Sequence, residues 1–165
     1  MNELMNNLGR IALIGIGATA VMDAWLMLLK RLGVPTLNFA LMGRWVGHWR
    51  RGQWAHDAIA RAPAVKGELA LGWLLHYLTG MAFAGLLVAV AGVAWLGHPR
   101  LLPALAVGLI TVAAPWLVMQ PAMGAGMASS KTPTPHRNRM RSLANHAVFG
   151  SGLYLAAVAI AWISR

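Results

Sequence analysis

Apolar residues fall into four long blocks along this chain, separated by stretches rich in arginine, glycine and proline. The first block, Ile11 to Leu29, is broken only by Thr19 and Asp23. The second, Leu69 to Leu96, carries His76, and the third, Leu101 to Met119, carries no acid, base or imidazole. The fourth, Leu143 to Ile163, holds Asn145 and His146 near its start. A helix needs about 20 mostly apolar residues to cross a bilayer, at a rise of about 1.5 Å each. Lipid offers the backbone no hydrogen bonds, so such segments must satisfy their N–H and C=O groups internally, as helices do. The pattern predicts an all-α fold: a four-helix transmembrane bundle with helices over about 8–31, 69–96, 101–120 and 142–163, forming a single domain over 1–165.

The connection from Val34 to Glu68 has a pattern of its own. Leu37, Leu41, Trp45 and Trp49 recur at every fourth position, with Met42 and Val46 beside them. Arg44, His48 and Arg51 fall on another face, which is the signature of an amphipathic helix lying in a membrane interface.

Charge orients these blocks. Seven basic residues lie between the first two blocks (Lys30, Arg31, Arg44, Arg50, Arg51, Arg61 and Lys66), and four between the last two (Lys131, Arg137, Arg139 and Arg141). Only Arg10, Arg100 and Arg165 remain for the other side. Cytoplasmic loops are enriched in Lys and Arg. Both long loops are therefore expected in the cytoplasm, with the termini and the Gly97–Pro99 turn outside. Trp95 and Trp162 would then be anchors at the outer interface. Ala18-Thr19-Ala20 resembles a signal-peptide cleavage site, but the apolar pattern runs on to Leu29 and is followed by Lys30-Arg31, which favours an uncleaved first helix.

Composition agrees with a membrane chain. Of 165 residues, 58% are hydrophobic and 11% charged, well below the roughly 25% charged residues of soluble domains. The net charge of +10 is explained by loops that meet anionic lipid headgroups, so the bilayer is the expected partner and nucleic acid is not. The absence of cysteine excludes disulfides and thiolate chemistry.

Two motif likenesses fail on context. Gly15-Ile-Gly17-Ala-Thr-Ala20 fits the spacing of a dinucleotide fingerprint, yet no strand precedes it and no acidic residue lies between Asp23 and Asp57. Its small residues fit close helix packing instead. Gly126 to Thr132 echoes a phosphate loop, but Ser130 stands where the second glycine is required. What survives is a flexible basic loop in which Ser129, Ser130, Lys131 and Thr132, with Arg137 and Arg141 close by, could meet an anion or headgroup.

The candidate chemistry lies in the polar residues of the apolar blocks: Asp23, His76, Gln120 and His146, one on each predicted helix. At about 1.5 Å per residue, the first, second and fourth lie roughly 7–12 Å from the nearest charged anchor, and Gln120 ends the third block on the same side. An Asp at a helix centre costs about 2.5–3.5 kcal/mol on insertion scales, so such groups usually face the bundle interior and one another. An Asp–His pair there could hold or pass a proton. Gly72, His76, Gly80 and Ala84 form one stripe, and Ser142, His146, Gly150 and Tyr154 another, so each imidazole sits on a face that a neighbouring helix can approach. Arg44, His48 and Glu68 could extend the site at its cytoplasmic mouth. His76, His146 and Asp23 are also candidate metal ligands, and His76 with His146 a candidate haem pair; the sequence fixes no cofactor.

Three further stretches carry a resemblance: Gln120-Pro-Ala-Met-Gly-Ala-Gly-Met-Ala-Ser-Ser-Lys-Thr-Pro with the following Arg141-Ser-Leu and His146-Ala-Val-Phe-Gly, Ala40-Leu-Met-Gly-Arg-Trp-Val-Gly-His48, and Leu71-Gly-Trp-Leu-Leu-His76-Tyr. Together they resemble a bacterial family of small integral membrane proteins known only as a domain of unknown function. The resemblance implies a bacterial inner-membrane protein and supplies no activity. The residues leave three classes open: a protein that binds or transports a small or lipid-like anionic molecule, a metal- or haem-dependent membrane enzyme, and a structural or regulatory membrane protein. Four helices are few for a monomeric transporter, so the first class would favour a homodimer.

Overall fold

A computed structural model describes residues 2–163; Arg165, counted above among the outer charges, lies outside them. The described chain is helical: α1 Asn2–Arg31, α2 Phe39–His48, α3 Glu68–Ala91, α4 Leu101–Ile110, α5 Gln120–Ala122 and α6 Pro135–Ile163, joined by short turns of tighter or wider helix. Four segments are long and apolar enough to cross a membrane: Glu3–Arg31, Glu68–Ala91, Leu101–Ala122 and Pro135–Ile163. All four expose large apolar side chains, among them Met27, Val90, Leu117 and Ile163.

The ends of these helices differ from the sequence expectation for local reasons. The second apolar block does not stay helical to Leu96. Gly92 takes φ 84°, open to glycine without steric cost, and a 3-10 turn Val93–Leu96 follows. The third block is not one rod: α4 ends at Ile110, a turn intervenes, and Pro115–Met119 forms a π-helical turn. Proline has no N–H to give the preceding turn and its ring crowds it, and wide turns of this kind absorb the mismatch. The fourth helix starts at Pro135 rather than near residue 142. Its first two turns are polar and basic and carry no apolar signal, while proline at a first helical position is favourable.

The residues group into two compact units. The helical unit takes residues 1–35, 77–111 and 144–165. Its core is Ile14 and Ala18 of α1, Ala84, Leu87 and Val88 of α3, Trp95 and Leu96 of the turn, Ala104 and Val107 of α4, and Phe149, Leu153 and Ala157 of α6. Helices meet there on small residues, as the stripes predicted. A Cβ on Gly108 would lie 2.6 Å from the Gly150 Cα, and one on Gly15 would lie 2.5 Å from the Met81 Cα. Trp95 is not the exposed anchor expected of it. It is 3% exposed, and its indole N–H donates to the Arg100 carbonyl at 3.1 Å, closing the α3–α4 turn. Trp162, 75% exposed, does present its ring outward.

The loop unit takes residues 36–76 and 112–143. Asn38 caps α2, its side chain accepting from the Ala40 N–H at 3.0 Å. The helix then packs on the start of α3, where Gly43 and Gly72 bring the two backbones together: a Cβ on Gly72 would strike the Phe39 carbonyl, and one on Gly43 the Glu68 carbonyl. So α2 buries Met42, Gly43, Trp45 and His48 against protein. The amphipathic helix forms, but His48, expected on its polar face, is among its most buried residues, because the glycines shift the contact face toward α3.

Candidate functional site

The site is assembled in the loop unit from irregular backbone held by polar side chains. Arg44 is its hinge-pin. Its Nε donates to Glu68 Oε2 and its Nη2 to Oε1, both at 2.8 Å. Its Nη1 donates to the Ala62 and Ala60 carbonyls at 3.0 and 3.4 Å. Planar guanidinium suits this fork-to-fork geometry. The bond to Glu68 outweighs burial and raises the Arg44 pKa further above its already high value. Glu68 also accepts from the Val65 N–H at 2.9 Å, so one carboxylate fixes the entry to α3 and one arginine fixes the loop before it.

Beside this pair lies a histidine couple. His48, 2% exposed, has Nε2 at 3.0 Å from the Pro63 carbonyl, to which it must donate. Its Nδ1 lies 2.8 Å from His56 Nε2 and 3.2 Å from Gln53 Oε1. His56 Nδ1 is buried without a partner. Burial, reinforced by His48 close by, lowers the His56 pKa against an opposing backbone bond to Ala122.

Two backbone bonds tie this loop to the end of the third apolar segment: His56 N–H to the Ala122 carbonyl at 2.8 Å and Ile59 N–H to the Met123 carbonyl at 3.1 Å. Gly124, at φ 91°, lies so close to the Asp57 carbonyl that a side chain there would collide. The basic loop follows. Ala128 and Ser129 both sit in the left-handed region, at φ 46° and 62°, which costs a residue with a Cβ about 1–2 kcal/mol. Side chains hold the strain in place: Ser129 Oγ donates to Gln120 Oε1 at 3.1 Å, Arg139 Nε to the Ala128 carbonyl at 2.8 Å, and Asn138 Nδ2 to Thr132 Oγ1 at 2.9 Å.

The loop's amides are turned inward. Ser129, Ser130, Lys131 and Thr132 N–H groups donate to the Gly126, Met127, Ala125 and Ser129 carbonyls. An anion here would therefore be met by side chains. Ser129 and Thr132 are committed to the loop's own bonds, whereas Ser130, Lys131 and Arg137 are exposed and Arg141 half-buried.

The predicted intramembrane residues divide between the units. In the helical unit, Asp23 accepts from the Tyr77 hydroxyl at 2.9 Å. His146 turns Nδ1 to the Gly108 carbonyl at 3.0 Å and Thr111 Oγ1 at 3.1 Å, where α4 ends. Beside it on α6, Asn145 accepts from the Trp25 indole at 3.0 Å. In the loop unit, His76 stacks at 4.6 Å on Phe39 and 5.9 Å from Trp73, and Gln120 holds Ser129. Among the described residues, no three His, Asp or Glu side chains gather as a metal-ligand set.

A family model described as a protein of unknown function, DUF2938, matches residues 12–160. The chain belongs to the DUF2938 family. No curated protein and no solved structure matches it. The DUF2938 match takes in both units and every polar contact just described, and leaves out Arg10 and Trp162 at the two ends. Two contributors to this DUF2938 chain's polar sites are illegible by residue pattern alone. Tyr77 follows His76 directly and reads as an interfacial aromatic, and His56 sits in an aperiodic loop. The His48–His56 spacing was the one available signal for the couple.

Proposed function

We propose that this chain is a multi-pass membrane protein that binds an anionic group, small or lipid-like, at the basic loop between its third and fourth spans. The reading is supported first by the spans: large apolar side chains stand exposed on all four, a surface that lipid covers and water does not. By the positive-inside rule, the basic residues of the loop unit would face the cytoplasm.

The observation that carries the binding reading is the loop from Gly124 to Thr134. Its backbone is held in a strained left-handed form by Gln120, Arg139 and Asn138, and strain of this kind collects where a site must be pre-shaped. From 120 to 141 the chain has four basic residues and no carboxylate. Exposed Lys131, Ser130 and Arg137 would meet the anion.

The test is binding of an anionic amphiphile, phosphatidic acid in mixed micelles, to the purified chain and to a Lys131→Ala, Arg137→Ala double variant. Loss of about tenfold or more in affinity is expected, from two charge-assisted contacts. A Trp54→Phe change, on an exposed ring of the same unit, should leave binding unchanged. Equal affinity for the wild type and the double variant would overturn the reading.

A further inference from the structure

We propose a second anion site, within the helical unit: a pocket in the α3–α4 turn that takes the phosphodiester headgroup of an anionic phospholipid. It rests on the membrane-spanning reading above, and not on the basic loop.

The turn is held by its own hydrogen bonds. Gly92 ends α3, and the Val93–Leu96 turn brings Trp95 under Arg100, whose backbone carbonyl accepts the indole N–H. From α1, Arg10 Nη2 donates to the Leu96 carbonyl at 2.6 Å. The His98 N–H returns to the Ala94 carbonyl at 3.1 Å. These bonds engage the turn's backbone and leave the side chains of His98 and Arg100 exposed.

The pocket is open on one side and has a volume of about 390 Å³, within the range of small-ligand sites. One side is the turn Gly97, His98, Pro99 and Arg100, which carries the basic side chains; the other is apolar, formed by Val158, Ala161 and Trp162 of α6. Among the described residues no carboxylate lines it, and Arg10 adds positive charge at the neighbouring Leu96. Arg100 is also the residue before α4, whose start no side chain caps, so the positive end of that helix reinforces the same sign. A half-apolar, half-cationic pocket fits a phosphate with a hydrocarbon attached.

The apolar wall favours a lipid over a soluble phosphate. It belongs to the last turns of a spanning segment, where Trp162 and Ile163 are 75% and 77% exposed. An exposed indole at such a position is an interfacial anchor. A phospholipid can set its phosphate on Arg100 and His98 and run its glycerol and first methylenes along Val158 and Ala161.

The experiment is native mass spectrometry of the chain released from mild detergent, comparing retention of phosphatidylglycerol with that of phosphatidylcholine. The wild type should retain phosphatidylglycerol preferentially. Arg100→Ala should weaken that retention about fivefold, the loss of one interfacial cation, and Arg100→Lys should restore most of it. Because the bond from Trp95 runs to the Arg100 carbonyl, Arg100→Ala keeps it, and elution as a single peak on gel filtration verifies the fold. Lys131→Ala should leave this retention unchanged, which separates the pocket from the basic loop. Resistance of the chain to alkaline carbonate extraction reads the membrane assignment independently. Equal retention of the two lipids, or no effect of Arg100→Ala, overturns the proposal. Glycerol phosphate bound as tightly as the lipid, with the same Arg100 dependence, overturns the lipid assignment and gives the pocket to a soluble phosphate.

Discussion

Removing Arg44 should loosen the loop unit by several kcal/mol. Its side chain and that of Glu68 are 15% and 17% exposed, so water replaces little of what the pair loses. Breaking a fully buried pair costs about 3–5 kcal/mol, and an exposed pair is worth about 0–1 kcal/mol. Arg44→Ala also strips donors from two carbonyls, Ala60 and Ala62. Glu68, however, keeps the Val65 N–H. These terms place Arg44→Ala near 3 kcal/mol, less than the fully buried limit. Arg44→Lys should recover less than half, because one ammonium cannot serve both carboxylate oxygens and the carbonyls together. A double-mutant cycle with Glu68→Gln, followed by unfolding in mixed micelles, should give a coupling energy of about 1.5–3 kcal/mol. Exchange of the Arg61, Ala62 and Glu68 amides, which close the turns on either side of the pair, should accelerate in the same variants. Coupling below about 0.5 kcal/mol, with unchanged amide exchange, would refute the claim that this pair organises the loop.

Further outcomes follow from the same geometry. Gly108→Ala should destabilise the helical unit by about 2–4 kcal/mol, since its Cβ meets the Gly150 Cα at 2.6 Å and the His146 carbonyl at 2.7 Å; thermal unfolding in detergent measures it. Ala128→Gly should be neutral to stabilising by up to about 1 kcal/mol, because φ 46° costs glycine nothing, whereas Ala128→Val should destabilise. The same denaturation assay separates the two. His56 binds its proton less readily in the fold than in the unfolded chain, so the unfolded state takes up more protons as the pH falls below about 6.5. Stability should therefore be intact above that pH and decline below it. The decline should be shallower in His56→Gln, as read from unfolding midpoints between about pH 5 and 8.

The four spans were legible because lipid imposes a length and a polarity that any window of residues reveals. Their ends were less so. Nothing in the polar run Pro135 to Arg141 announces a helix, and an unbroken apolar block from Leu101 to Met119 conceals a break that only Thr111 and Pro115 hint at. Spacing found the stripes that bring Gly80 and Gly150 into helix contacts. The same stripe put Gly72 on a face that a helix can approach, and the helix that meets it is the short α2. In the site, Arg44 and Glu68 were named as a mouth, and the structure joins them. Tyr77 and His56 were missed because a hydrogen bond across more than fifty residues, or within an aperiodic loop, leaves no periodic trace.

The break at the end of α4 also sets an order of biogenesis. The Gly108 carbonyl takes its donors from Thr111, at 2.7 Å, and from His146 on α6, at 3.0 Å. Thr111, three residues on in the same segment, serves that carbonyl as soon as the segment folds, so the third segment can enter a bilayer without leaving it bare. His146, made about two to seven seconds after Gly108 at ordinary elongation rates, then adds a second donor to the same oxygen and ties the fourth segment to the break.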